Sequence, residues 1–289
     1  MEIVPQLIMN SLIAGSVYMM IALGFNLIFS TVKFFDLGYG ALMAVGGYSV
    51  FYFSNILGLN IWLAIFVGVI MAGFIGFLAD RLVYRQLRKR KSSSMVFLLA
   101  SLGVLTAIQA IIAILFSSQF QILGQNIVSE KVFQIYGAAV TGTQIIIFVI
   151  GIIIMLVLGI TLKITKLGKA IRAVSDDEEV SKIVGIDSNK IISIVFFIGS
   201  MIAGLAGILV GFDTGIQPNM GFSLLLKGVI ASIIGGVGNI YGAVLGAFLL
   251  GFVENFGIWK ISGEWKDAIS FSLLIIFLLF RRWGVFGRK

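Results

Sequence analysis

The sequence contains no cysteine, no histidine and only two prolines among 289 residues, and only 12% of its residues are charged. A chain without cysteine or histidine has no disulfide, no thiolate nucleophile, no Ser-His-Asp triad and no histidine-based metal site. It also lacks the G-x-x-x-x-G-K-[ST] phosphate loop, so the energy for any transport must come from another polypeptide or from an ion gradient. We therefore expect neither an enzyme nor a bound cofactor or metal.

What the sequence does have is apolar residues and glycine. The hydrophobic fraction is 59%, the mean hydropathy is +1.09, and 35 residues are glycine. Soluble domains are about half apolar and a quarter charged, whereas glycine lets helices approach closely inside a bilayer. The composition predicts an all-α polytopic membrane protein in contact with lipid. In a membrane protein, a net charge of +8 indicates basic cytoplasmic loops that set the orientation, and we expect no nucleic-acid partner.

The basic residues lie in a few places. Sixteen of the 21 lysines and arginines fall within 81–91, 163–190 and 281–289. Because basic loops remain on the cytoplasmic side, we predict cytoplasmic loops at 80–94 and 163–190, an outside N-terminus and a cytoplasmic C-terminus.

Apolar runs of membrane length define the predicted spans, which lie at 7–29, 34–53, 61–79, 95–116, 144–162, 191–211 and 267–280. The glycine-interrupted stretch 222–257 adds either two short crossings or a re-entrant hairpin. The whole chain, 1–289, is then a single permease domain with about eight or nine transmembrane segments.

Two short motifs recur along the chain. Ile13-Ala14-Gly15 returns as Ile202-Ala203-Gly204 and Gly46-Gly47 as Gly235-Gly236, both after 189 residues. The predicted topology sends the two copies across the membrane in opposite directions, which indicates an inverted internal repeat of the transporter kind. Chance similarity between glycine-rich apolar stretches is the alternative.

The loop 163–190 is patterned like two short helices, at about 167–187. Leu167, Ala170, Ile171 and Val174 share one helical face. Ser175, followed by Asp176, Asp177 and Glu178, predicts a capping box and a new helix start. The apolar stripe of this second helix is Val180, Ile183 and Val184, and Gly185 is placed to end it in a left-handed conformation. The two helices pack either on a soluble partner or on the membrane and their own bundle.

The run LGKAIRAVSDDEEVSKIVGID resembles the cytoplasmic coupling loop of permease subunits from ABC importers of the branched-chain amino acid type. SMIAGLAGILVGF and QPNMGFSLLLKGVIASIIGGVGNIYGAVLGAFLLGFVE follow at the family's spacing. The opening IALGFNLIFSTVKFFDLGYGALMAVGGY is similar to that of the LivH-type subunit. The resemblance runs from about Asn10 to Glu254.

This resemblance implies a permease subunit of an ATP-driven importer in a prokaryotic inner membrane. Its partners would be ABC ATPase subunits, a second permease of the LivM type and an extracytoplasmic binding protein that delivers branched-chain or other hydrophobic amino acids. By position, the family's coupling segment falls on Gly168, Ala173, Asp176, Asp177, Glu178, Glu179 and Gly185 of this chain, with Val180 and Ile183 as its apolar contact.

The family's usual Asn-Phe-Ala-His-Gly-like run is replaced here by Phe35-Asp36-Leu37-Gly38-Tyr39-Gly40. The departure leaves the substrate open, so urea or another small amide is an alternative. A self-contained secondary transporter or channel is a further alternative, with Asp36, Lys227 and Glu254 as its coupling or filter groups.

Few charges lie near membrane depth, where each costs roughly 2.5 to 3.5 kcal/mol. Lys33 and Asp36 are predicted to form a solvated ion pair at a cytoplasmic turn, and Asp213 to face outside water. Lys227 and Glu254 either pair with each other, reach an interface or line the path. The remaining candidates for the translocation path are Gly46, Gly47, Gly235, Gly236, Gly238 and Asn239, with close helix packing as the competing interpretation.

Overall fold

The computed structural model describes residues 3–123, 132–281 and 284–286, and these are overwhelmingly helical, which confirms the predicted all-α class. Glu2 and most of the basic C-terminal stretch lie outside the described residues. The helices are α1 (Ile3–Val32), α2 (Gly38–Val50), α3 (Ile61–Ala79), α4 (Arg85–Lys89), α5 (Ser94–Phe116), α6 (Gly142–Ile164), α7 (Lys166–Asp176), α8 (Glu178–Ile183), α9 (Ser188–Thr214), α10 (Met220–Gly235), α11 (Ile240–Gly257) and α12 (Lys266–Phe280).

Short elements complete the described fold. The π-helical stretch Phe51–Ile56 extends α2, a second one at Asp80–Tyr84 joins α3 to α4, and the 3-10 turn Gly263–Trp265 precedes α12. The predicted loop 80–94 is therefore helical as far as Lys89. An unpredicted antiparallel hairpin of β1 (Val132–Ile135) and β2 (Ala138–Thr141) precedes α6.

Six helical stretches are long and apolar enough to cross a membrane: Ile3–Val32, Ile61–Lys89, Ser94–Phe116, Gly142–Ile164, Ser188–Thr214 and Ile240–Gly257. The predicted multi-pass class is thus confirmed. A count of eight also needs two of the shorter helices α2, α10 and α12, and a count of nine needs all three, which have 13, 16 and 15 residues. At a rise of 1.5 Å per residue, α10 is about 24 Å long, less than the roughly 30 Å hydrocarbon core.

The chain divides into two compact units that interleave along the sequence. The first comprises Met1–Asn26, Gln125–Met155 and Leu226–Lys289, and the second comprises Leu27–Gly124 and Leu156–Leu225. Each unit therefore joins segments that lie far apart in the chain.

In the second unit, α9 packs against α2 and α3 through small residues. Gly46 of α2 lies against the backbone of Gly204 in α9, and Gly204 in turn faces Ala72 of α3. A side chain on Gly46 would overlap the Gly204 backbone. Helix association in a bilayer depends on such close packing, because lipid is as apolar as the helices themselves.

In the first unit, α1 packs against α10 and α11 in the same way. Gly228 of α10 meets Ile21, and Gly251 of α11 meets the backbone of Ser11 and Gly15. The long helix α1 therefore contacts α10 and α11, the pair that follows α9 in the chain. Helix α9 in turn contacts α2 and α3, the pair that follows α1.

Candidate functional site

Helix α7 is fixed to the end of α6 by a tight turn. The Thr165 hydroxyl caps α7 by accepting a hydrogen bond from the Gly168 N–H at 3.0 Å. A side chain on Gly168 would overlap the backbone of Thr161 and Leu162, so only glycine fits there. Ile171 and Val174, half of the predicted apolar face, are buried. This accounts for Gly168 by packing.

The predicted capping box at Ser175 is wrong. Ser175 lies within α7, and its hydroxyl donates to the Ser30 hydroxyl at 3.2 Å. Asp177 caps α8 instead, because its extended backbone lets Oδ1 accept from the N–H groups of Glu179 and Val180 at 2.8 and 3.0 Å. A carboxylate is a strong cap and complements the positive helix start, where Glu178 and Glu179 also lie.

The end of α8 matches its prediction. Gly185 has φ +86°, and the Ile186 N–H reaches back to the Ser181 carbonyl at 3.0 Å. This left-handed glycine closes the helix as a Schellman-type cap does. Lys182 pairs with Glu178 at 2.7 Å on the exposed side.

Helix α8 turns its apolar side outward. The exposed fractions of Val180, Ile183 and Val184 are 54%, 83% and 69%. The opposite side is polar and buried, where Ser181 and Ser188 share a hydrogen bond of 3.2 Å. We call the three apolar residues the docking patch; their exposure agrees with the predicted contact to a partner, which stays a prediction.

Lys227 and Glu254 pair with each other inside the first unit. The Lys227 ammonium lies 2.6 Å from Glu254 Oε1, and it also contacts Ser270 Oγ and Asp267 Oδ1, both at 2.8 Å. The Tyr18 hydroxyl donates to the other Glu254 oxygen at 2.6 Å. The Glu254 side chain is fully buried. We call these five residues the buried charge cluster, which joins α1, α10, α11 and α12.

Sequence reasoning found two members of this cluster and missed Tyr18, Asp267 and Ser270. Asp267 and Ser270 are three residues apart in α12, a spacing that places both on one helical face. Tyr18 is a lone phenol in an apolar stretch of α1. Such groups must find partners at membrane depth, and that requirement is the signal that could have identified them.

The predicted solvated pair of Lys33 and Asp36 is wrong. Asp36 is 2% exposed and accepts hydrogen bonds from the Tyr84 hydroxyl at 2.6 Å and the Gly38 N–H at 2.9 Å. Lys33 is exposed in a left-handed conformation. A buried carboxylate needs such donors, and the π-helical stretch supplies Tyr84.

Two of the path candidates lie in the second unit, in α2. Gly46 contacts Gly204, and a side chain on Gly47 would meet Ile216 and Met220. Both are buried. Their surroundings agree with the packing interpretation, and a role in lining the path stays a prediction.

The other glycine candidates form the turn between α10 and α11. Gly236 and Gly238 have φ of +105° and +87°. The Asn239 side chain caps α11 by accepting from the N–H groups of Tyr241 and Gly242 at 3.0 and 3.2 Å. Geometry accounts for these residues as a tight turn, and their place on the path also stays a prediction.

Gly235→Leu is expected to reduce transport by at least about tenfold, because the new side chain would overlap the backbone of Gly242, which cannot move aside as a side chain could. Uptake normalised to membrane abundance measures the effect. Gly159→Leu is the matched control, since a side chain there meets nothing within 4 Å among the described residues. Normal uptake by Gly235→Leu would show that transport does not depend on the close contact between Gly235 and Gly242.

Known proteins are similar to this chain in sequence and in fold. The profile of a family described as branched-chain amino acid transport system, permease component, matches residues 7–278. The chain is 32% identical to the high-affinity branched-chain amino acid transport system permease protein BraD of Pseudomonas aeruginosa, over 98% of this chain and 95% of that one. It is 30% identical to the corresponding permease protein LivH of Escherichia coli, with the same coverage.

Among solved structures, PsaBC from Streptococcus pneumoniae in complex with Fab matches with a TM-score of 0.53 and 16% identity. The match covers 94% of this chain and 90% of that one. At this identity the likeness extends to the fold alone.

Proposed function

Since the chain belongs to the family of branched-chain amino acid permease components, we propose that it is a membrane-spanning subunit of an ATP-driven importer for branched-chain or other hydrophobic amino acids. Members of this family are transport permeases rather than enzymes. The observation that carries the proposal is the docking patch, an apolar surface on a capped helix between two membrane spans.

The patch is connected to the membrane helices of its own unit. Ser188, the first residue of α9, hydrogen-bonds to Ser181 and to the Glu178 carbonyl of α8. Helix α9 then packs on α2 and α3. A movement of α8 imposed by a bound ATPase would thus pass to α9 as a rigid-body displacement.

The orientation and the other partners follow from the same proposal. The basic segments support a cytoplasmic position for 163–190, and with it an outside N-terminus and a cytoplasmic C-terminus. An extracytoplasmic binding protein delivers the solute, and a LivM-like chain is the second permease.

The alternatives raised by the sequence gain no support. A secondary transporter needs charged groups free to bind an ion, yet Asp36, Lys227 and Glu254 are all buried with partners from the protein. The BraD and LivH relatives described above are named for branched-chain amino acids rather than for urea or another amide.

The test is uptake by proteoliposomes that contain the complete complex co-purified with this chain. Uptake of isoleucine, leucine and valine should require ATP and the binding protein, and should persist when proton and sodium gradients are dissipated. Uptake driven by an ion gradient without ATP would overturn the importer proposal. Uptake of urea in place of amino acids would overturn the proposed substrate class.

A further inference from the structure

A cavity of about 560 Å³ opens in the second unit. It lies between α5, the segment 215–219 and the start of α10. The residues that matter here are Leu105, Gln109, Gln217, Asn219, Met220 and Phe222. Its volume falls within the range of small-ligand sites, roughly 300 to 1,000 Å³.

Three residues with side-chain amides line this cavity, and one of them lies within a membrane span. Gln109 belongs to α5, an apolar helix of 23 residues. Within the described part of the chain, the side chains of Gln109, Gln217 and Asn219 make no hydrogen bond to protein. Thr106 lies one turn earlier in α5, and its hydroxyl instead donates a hydrogen bond to the Leu102 carbonyl at 3.0 Å. A polar side chain in a span is costly unless it faces water, protein or a solute, so Gln109 needs such a partner.

The segment that carries Gln217 and Asn219 is firmly held. Ile216 and Gln121 exchange two backbone hydrogen bonds, of 2.8 and 3.0 Å. Gly215 has φ +83° and packs against Phe120. Non-helical backbone between membrane helices is tolerated where it is buried in protein or lines a cavity. In this segment Ile216 and Pro218 are buried, whereas Gln217 and Asn219 are exposed and line the cavity.

The apolar part of the lining complements the amides. Leu105 is buried, Phe222 is 40% exposed, and Met220 supplies a flexible thioether that adapts to branched side chains. None of the described lining residues is charged. The cavity thus combines neutral donors and acceptors with an apolar surface.

We propose that this cavity, the amide pocket, is a transit site for the α-ammonium and α-carboxylate groups of a net-neutral amino acid with an apolar side chain. The proposal rests on the proposed function and deepens it. Amide N–H groups donate to the carboxylate, amide oxygens accept from the ammonium, and the side chain lies on Leu105 and Met220. Without a fixed opposite charge the solute is held briefly, as a conduit requires.

Gln109→Leu and Asn219→Leu test the pocket in the complete reconstituted complex. Each should lower isoleucine transported per ATP hydrolysed by about tenfold, the effect of one lost hydrogen bond to a charged group. ATP hydrolysis stimulated by the loaded binding protein should be unchanged. Thr106→Val is the matched control and should transport normally. Unchanged isoleucine transport per ATP in both amide variants would overturn the proposal that the amide pocket is a transit site.

The absence of cysteine offers a second measurement that does not depend on flux. Ser223 also lines the cavity, so Ser223→Cys places the chain's single thiol there. Millimolar isoleucine should slow its labelling by a maleimide several-fold, whereas glutamate and urea should not. Protection by urea or glutamate instead, or no protection in a complex that transports isoleucine, would overturn the assignment. A wild-type complex that transports no branched-chain amino acid would instead overturn the proposed function.

Discussion

Lys227→Met is expected to destabilise the first unit by about 3 kcal/mol, because it leaves the fully buried Glu254 without its nearest cation. The hydroxyls of Tyr18 and Ser270 still donate to this carboxylate, but Lys266 lies 3.6 Å away and cannot replace the 2.6 Å contact. Breaking one side of a buried ion pair costs more than removing both.

Thermal unfolding of the purified protein in detergent measures this effect. For a chain of this size, about 3 kcal/mol lowers the unfolding midpoint by roughly 5 °C. The double variant with Glu254→Gln should recover part of the loss, since no fully buried charge is left unpaired and Asp267, which also loses Lys227, is 70% exposed. Lys266→Met is the control and should cost less than about 1 kcal/mol, because its contact is longer and its side chain is 35% exposed. A Lys227→Met protein as stable as the wild type would show that the cluster does not hold the unit together.

Ile183→Asp is expected to abolish ATP-driven uptake while leaving the protein inserted and folded. Ile183 is 83% exposed, so an aspartate there is solvated in the isolated chain. At the proposed interface the same carboxylate must lose water without gaining a partner. A loss of about 2 kcal/mol or more is typical of a central interface residue, equivalent to about thirtyfold in affinity.

Co-purification of the ATPase subunit and uptake per copy of permease are the measurements. Ile183→Leu keeps the apolar surface and should behave like the wild type. Tyr136→Asp adds the same charge in the turn between β1 and β2, where the side chain is 95% exposed. This variant should also behave like the wild type. Retention of the ATPase by Ile183→Asp would exclude the docking patch as its binding site.

The membrane class and the two helices beyond the spans follow from the sequence, because both depend on local patterns. Hydropathy identifies the long spans, and helical periodicity identifies α7 and α8. The cap at Asp177 was missed because Ser175 and Asp177 both satisfy the local rule. The choice depends on where α7 ends, which its packing on the protein decides.

The features that sequence could not supply are tertiary. The sequence around Asp36 predicts a surface charge. In the structure, Tyr84, which lies 48 residues later in a π-helical stretch, donates a hydrogen bond to it. The amide pocket likewise combines Gln109 with Asn219, which no local pattern connects. Polar groups far apart in a membrane chain find each other only through packing.

The exchanged pairing of α1 with α10 and α11, and of α9 with α2 and α3, constrains biosynthesis. Neither core can close until the ribosome has made the distant helices that complete it. Between Ser11 and Gly251 lie about 240 residues, or roughly 12 to 48 s at 5 to 20 residues per second. Through that interval the surface of α1 around Ser11 and Gly15 lacks the helix that covers it in the folded chain.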